Sequence, residues 1–278
     1  MAMGYLSYDG TTPRMPEEYT MPKLFASDFD GTLHFWETDD QYLVSPTDTQ
    51  AILGFQASGG LFGVCTGRPL LGLTSQTDAA PGLDFSFDFY IATTGAAIFD
   101  RDRQLIWNKT IPREVAEELY HLCSPMAKGP DYALVCATEN YWTFAKDIEW
   151  PFLQTISSFD EVKGPFYGYA MENESIEIAQ EAADRVNERF AGIVQAYVNL
   201  ASIDVVPAGC SKGTGLLKAA EYYGATLTAG IGDSFNDIEL LDAADVAYTF
   251  NSADPEMHAH ADVLVDHAAE AIADFMRR

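Results

Sequence analysis

The chain has 278 residues and carries 42 acidic against 16 basic side chains, for a formal net charge of −26. Hydrophobic residues make up 47% and aromatics 13%, a composition that buries a real core in one large domain or two moderate ones. The charge argues against nucleic acid and anionic membrane surfaces as partners, and no apolar run approaches the ~18 residues of a membrane span.

Residues 1–20 have neither the basic start nor the apolar middle of a secretory signal and read as a flexible N-terminal arm. Cys65, Cys123, Cys136 and Cys210 are scattered, with no CxxC pair, and read as reduced thiols of a cytoplasmic protein. From Lys23 to Ser27 a short apolar strand leads into Asp28 and Asp30, in ASDFDGTLH. Two bare carboxylates at about 4 Å repel by roughly 4 kcal/mol at an effective dielectric of 20, so the pair calls for a cation. A helix follows: Ser45 caps it, Pro46 opens it, Asp48 completes a capping-box-like spacing and Gly59-Gly60 stop it. The strand LFGVC delivers TGR, Thr66 to Arg68, and DFYIAT is the next strand.

From about Ala96 to Val205 the pattern changes. Two helices, PREVAEELYHLC and a run from Glu174 to Phe190, alternate with the strand candidates YALVCAT, YWTFA, FYGYAM and GIVQAYVN. This is a small α+β module, residues 96–204, set into a core formed by 21–95 and 205–278. Beyond it the strand–helix alternation resumes. Lys212, in GCSKGTG, precedes a helix to Tyr223; the strand ATLTAGI then runs into GDSFND, Gly232 to Asp237, with a helix near Asn236. Strands DVAYTF and DVLV and a last helix to Arg278 complete an α/β core with a doubly wound, Rossmann-like parallel sheet.

In such a sheet ligands bind at the carboxyl ends of the strands. That edge collects Asp28, Asp30, Asp233, Thr66, Gly67, Lys212 and Asn236. Three converging aspartates need a cation, and an all-oxygen donor set suits Mg²⁺ better than zinc. Thr66, Gly67, Lys212 and Asn236 supply the hydroxyl, amide and ammonium donors that a phosphate accepts. No G-x-x-x-x-G-K-[ST] is present, which sets aside a P-loop.

The four motifs DFDGT, TGR, SKG and GDSFND, in this order, resemble those of the haloacid dehalogenase superfamily of aspartate-nucleophile phosphotransferases, over about 24–94 and 205–266. The placement of the insert after YIATTGAAI, and the run SIDVVPAGCSKGTGL, resemble the Cof-type (IIB) hydrolases, many of them sugar-phosphate phosphatases. The resemblance implies Asp28 as nucleophile and Mg²⁺ ligand, and Asp233 as a further ligand. It implies Asp30 as general acid/base, its backbone carbonyl also on the metal. The Phe29 and Gly67 amides, Thr66, Lys212 and Asn236 would hold the phosphate, Asp237 would orient the site from behind, and Thr32 would support Asp30. The insert becomes a C2B-type cap that closes over the site and reads the leaving group.

The implied activity is hydrolysis of small phosphorylated metabolites through an aspartyl-phosphate. A phosphomutase or phosphotransferase, and a non-catalytic phospho-accepting module, are the alternatives. The physiological substrate and the oligomeric state stay open. Arg68 reads as a salt bridge to nearby structure. Tyr141, Trp142, Phe166, Tyr167 and Tyr169 read mainly as cap core, with one or two facing substrate.

Overall fold

The structure, a computed structural model, describes residues 22–35, 42–78, 80, 83–129, 132–146 and 153–278; the arm read over 1–20 lies outside them. Strand β1 (Lys23–Ser27) sits inside an eight-stranded sheet, and its two faces explain its composition. Leu24 and Ala26 point to one layer while Phe25 points to the other, the period-2 alternation of a strand buried on both sides. Helix α1 (Pro46–Ala57) is capped by Ser45, whose hydroxyl accepts from Asp48 N at 3.0 Å, and it ends before Gly59 at φ +89°. Strand β2 (Leu61–Cys65) pairs in parallel with β1, and β3 (Phe89–Ala92) with β2. Between them lies α2 (Leu70–Thr77), whose Gly72, Thr74 and Thr77 make it a poor helix by propensity.

The hairpin β4 (Ala97–Asp100) and β5 (Leu105–Asn108) extends the same sheet antiparallel, although the boundary drawn at 96 puts it in the insert. The reason is burial. Ile98 completes one core layer and Ala97 and Phe99 the other, so the hairpin covers an edge of β3 that water would otherwise meet.

The insert then forms a six-stranded sheet of its own. Helix α3 (Arg113–Cys123) is followed by β6 (Ala133–Ala137), β7 (Asn140–Thr143), β8 (Leu153–Thr155) and β9 (Phe166–Glu172). Helix α4 (Ile176–Arg189), β10 (Val194–Asn199) and β11 (Ser202–Pro207) complete it in the order β10-β11-β9-β6-β7-β8. Strand β11 runs through the boundary drawn at 204. Leu119 and Val186 of the two helices share a core with Val135, Tyr169, Met171, Ile203 and Val205, so one face of this sheet is covered by helices.

The chain re-enters the core through α5 (Lys212–Tyr223), β12 (Leu227–Ile231), α6 (Ile238–Ala243), β13 (Val246–Phe250), α7 (Pro255–His258), β14 (Val263–Val265) and α8 (Ala268–Arg277). The eight-stranded order β14-β13-β12-β1-β2-β3-β4-β5 places β1 between β12 and β2, so the two acidic motifs end side by side. Helices α1 and α8 pack on the Phe25 face, and α5 and α6 on the Leu24 face. Among the described residues no helix is long and apolar enough to cross a membrane.

Gly95 joins β3 to β4 at φ +84°, and a Cβ there would drive into the carbonyl of Ser211, the residue that caps α5. Gly95→Ala is therefore expected to cost about 1–3 kcal/mol, read as a lower urea midpoint, because both the left-handed backbone and the contact oppose a side chain.

Candidate active site

The polar groups at the carboxyl edge of the large sheet come from chain turns that the strands force together. After β1 the chain turns tightly: Leu33 N and His34 N both donate to Phe29 O. Gly31 takes φ +85° in this turn, and a Cβ on it would lie 2.5 Å from Asp233 Oδ2. Only glycine lets the DFDGT turn approach the GDSFND loop this closely.

Lys212 opens α5 and is fully buried. Its Nζ donates to Asp28 Oδ1 at 2.7 Å and to Asp237 Oδ1. Carboxylate oxygens of Asp28, Asp233 and Asp237 lie within 4.8 Å of one another. Burial, then the nearby Asp237, push the Asp28 carboxyl well above its usual range, with Lys212 opposing. Burial, then Asp237, raise Asp233 to about 6. Burial also works against the charge on Lys212, but Asp237 and Asp28 together outweigh it and hold its pKa well above that of an ordinary lysine.

Three carboxylates against one ammonium leave a surplus of two negative charges, which a divalent ion offsets. The donors are all oxygen, as Mg²⁺ prefers. Hydrogen bonding separates their roles. Asp237 is saturated: Oδ1 on Lys212, Oδ2 accepting from the Asp233 and Ser234 amides at 3.2 Å each. The Asp28 carboxylate accepts from Lys212 and that of Asp233 from Thr32, and both keep oxygens for a metal.

Two placements differ from the sequence reading. Thr32, expected to support Asp30, donates its hydroxyl to Asp233 Oδ1 at 2.8 Å, because the Gly31 turn brings it back toward the GDSFND loop. The Asp30 carboxylate stands apart from the acidic cluster. Both its oxygens accept from Arg68, at 2.8 Å from Nε and 2.7 Å from Nη2, and Arg68 Nη1 donates to Gln76 at 2.8 Å. A salt bridge for Arg68 was legible in the sequence; its partner was not.

A cavity of about 180 Å³ opens beside the cluster, lined by Asp28, Asp30, Thr66, Gly67 and Asn236 from the large sheet. Thr66 Oγ1 accepts from Arg68 N at 3.2 Å, and Ser234 donates to Asn236 Oδ1 at 2.6 Å. The insert contributes Tyr141, Asn199 and Asp204 to the same walls. Of the five aromatics read as cap core, Tyr141 lines this cavity; Trp142, Phe166, Tyr167 and Tyr169 pack in the hydrophobic cores. Direct contacts hold the insert over the edge, among them Leu71 N donating to Glu139 O at 2.7 Å and the Tyr197 hydroxyl donating to Cys210 O at 2.9 Å.

Asp204 was not singled out from the sequence. The signal was there: one carboxylate in SIDVVP, at an alternating strand position between apolar neighbours. Burial raises its pKa to about 6, with Lys212 opposing. Among the described residues, no hydrogen bond is made to its carboxylate.

A family model described as haloacid dehalogenase-like hydrolase matches residues 25–276. The 5-amino-6-(5-phospho-D-ribitylamino)uracil phosphatase YcsE of Bacillus subtilis is 25% identical over 250 residues, covering 88% of this chain and 90% of that one. Two solved structures share the fold. The phosphatase-superfamily protein BT1666 of Bacteroides thetaiotaomicron superposes with TM-score 0.71 at 24% identity, over 95% of this chain and 99% of its own. The subclass IIB sugar phosphatase BT4131 superposes with TM-score 0.70 at 22% identity, over 91% and 98%.

Proposed function

Because the chain belongs to the haloacid dehalogenase-like hydrolase family, we propose that it is a Mg²⁺-dependent phosphatase of small phosphorylated metabolites, working through a phosphorylated Asp28. The observation that carries this reading is the meeting of Asp28, Asp233 and Asp237 around buried Lys212, beside a cavity walled by phosphate donors. YcsE and BT4131, as phosphatases of phosphorylated small molecules, support the same substrate class. Four free, buried cysteines fit a reducing cytoplasm.

Asp28, Asp233 and the Asp30 backbone carbonyl would hold Mg²⁺. When bound, the ion neutralises phosphate charge and orients the ester for in-line attack. The chain's own groups do the rest. Lys212 fixes the Asp28 carboxylate and offsets the repulsion between it and the phosphate. Asp237 holds Lys212 and the loop amides in place. Thr66, the Gly67 and Phe29 amides and Asn236 take the phosphate oxygens.

Asp28 attacks phosphorus and Asp30 gives the leaving oxygen its proton; Asp30 then takes one from water, which frees the phosphate. Both Asp30 oxygens are held by Arg68, so the acid is available only when Arg68 turns away. An incoming phosphate dianion is the competing partner that draws Arg68 off.

The cavity also weighs against the mutase reading. A mutase intermediate carries a second phosphate, which needs cations on the insert side. Among the described residues, the insert lines this cavity with Tyr141, Asn199 and Asp204, an aromatic, an amide and an acid.

Release of inorganic phosphate from a panel of phosphorylated sugars, nucleotides and vitamins, with Mg²⁺, tests the proposal; no release from any of them overturns it. The metal is tested without turnover. At magnesium about a hundred times its Kd, melting is expected to shift by the equivalent of about 2.7 kcal/mol. Calcium-free EDTA should reverse the shift and stop phosphate release.

A further inference from the structure

Helix α2 ends beside the guanidinium that covers Asp30. Gln76 is half-buried on the last turn of α2, and its Oε1 accepts from Arg68 Nη1 at 2.8 Å. The same guanidinium gives Nε and Nη2 to the two oxygens of Asp30, at 2.8 and 2.7 Å. One end of the group thus rests on a neutral amide and the other on the carboxylate assigned to proton transfer. The backbone of Arg68 is fixed: its N–H donates to Thr66 Oγ1 at 3.2 Å, and its carbonyl accepts from Thr93 N at 2.9 Å. Its Cζ lies 5.8 Å from the centroid of the fully buried Phe29 ring. With backbone and one face held, the motion left to the side chain is a swing within the cavity that Arg68, Asp30 and Thr66 line together.

The place of Gln76 is set by α2, and α2 is held from the insert. Its eight residues are too few to keep a helix by themselves, and Pro69 offers no capping side chain. Leu71 N donates instead to Glu139 O of the insert, at 2.7 Å. Gly72 stands one turn before Gln76 on the same face, and a Cβ on it would lie 3.0 Å from Tyr141 Cε2. One stripe of α2 therefore meets the insert at Gly72 and Arg68 at Gln76.

The residue type at 76 matters. A guanidinium presents its donors in a rigid fork that fits a carboxylate or a phosphate. An amide accepts from Nη1 without adding charge, so it steers Arg68 without competing for it against a dianion. We propose that Gln76 is a positioning residue for the general acid: it keeps Nη1 while Nε and Nη2 pass from Asp30 to the substrate phosphate, which uncovers Asp30. The inference rests on the phosphatase reading above. Asp28 then attacks phosphorus, the P–O bond to the leaving group breaks, and the oxygen that keeps the electron pair takes the Asp30 proton. Without Gln76, Nη1 turns to the phosphate and the other two donors stay on Asp30. The ester still binds, but the acid stays covered.

The test compares two kinds of ester, with Mg²⁺. p-Nitrophenyl phosphate expels a phenolate that leaves without a proton. An alkyl ester expels an alkoxide that needs one; the fastest of ribose 5-phosphate, glucose 6-phosphate and glycerol 3-phosphate serves. Gln76→Ala is expected to lower kcat/KM for the alkyl ester by about tenfold or more, and for p-nitrophenyl phosphate by less than about threefold, since general acid help matters only to the first. Because kcat/KM covers the steps up to loss of the leaving group, the hydrolysis step that both esters share does not enter. Inhibition by inorganic phosphate should change by less than about threefold, as Arg68 still reaches the anion.

Gln76→Met, of similar length without a strong acceptor, should repeat this pattern and replaces Gln76→Ala if that variant does not fold. Gln76→Glu restores the acceptor and should restore the ratio between the esters, while its charge weakens inhibition by inorganic phosphate. Equal losses on both esters, no loss on either, or a faster alkyl reaction overturns the inference and leaves the phosphatase standing. So does a Gln76→Glu protein with the selectivity of Gln76→Ala. Failure of the parent to release phosphate from these esters overturns both.

Discussion

Asp28→Asn is expected to lower phosphate release by on the order of 10⁴- to 10⁶-fold, the scale of losing a covalent nucleophile, without unfolding the protein. The sign of the stability change is what makes the experiment sharp. Burial and Asp237 raise the Asp28 carboxyl well above its ordinary range. The folded state therefore binds a proton that the unfolded chain releases above 3.8, and metal-free stability falls as pH climbs past that point. An uncharged amide of the same shape removes the penalty, while Lys212 keeps Asp237 as its partner. Metal-free Asp28→Asn should thus melt no lower than the parent at neutral pH, yet gain much less from magnesium. Activity, metal response and intrinsic stability move in different directions, which general damage to the fold does not produce. Near-normal phosphate release by this variant overturns the assignment of the nucleophile.

The same chemistry shows why some of the molecule was legible from residues alone. The strands of the large sheet are short apolar runs ending in polar motifs, so both the alternation and the edge where Asp28, Thr66, Lys212 and Asp233 gather follow from local pattern. What escaped depends on partners distant in the chain. The hairpin of β4 and β5 reads like the aromatic, alternating strands of the insert; only its burial against β3 assigns it to the large sheet. Helix α2, with glycine and threonines, is held by its tertiary setting rather than by propensity. Thr32 sits two residues from Asp30 in sequence, but the left-handed Gly31 turn delivers it to Asp233. Arg68 and Asp30 are joined across two strand ends. Asp204 gains its place from the insert's fold over the sheet edge, which no spacing in the chain encodes.

Lys212→Met is expected to cost about 3–5 kcal/mol at pH 7.5, the range for removing one partner of a buried ion pair, and to abolish turnover. Among the described residues it is the fully buried Lys212 ammonium that balances Asp28 and Asp237, bonding both. Because the pKa of Lys212 is raised, its stabilising charge is complete at every pH below 10.5 and lost only as pH climbs beyond that, so the parent has the full benefit at neutrality. In the variant the Asp28 carboxyl, already held above its ordinary range by burial and Asp237, loses the lysine that opposed that shift, so the stability should rise as pH falls from 7.5 to 5. The deficit against the parent narrows accordingly. Adding Asp237→Asn to Lys212→Met removes one unpaired buried charge and should restore part of the loss, giving a favourable coupling in the double-mutant cycle. Urea denaturation of the four proteins at both pH values measures this. A Lys212→Met protein as stable as the parent at pH 7.5, with no pH dependence to its deficit, would mean that Lys212 offsets no buried carboxylate charge in this cluster, and the electrostatic case for a divalent ion would go with it.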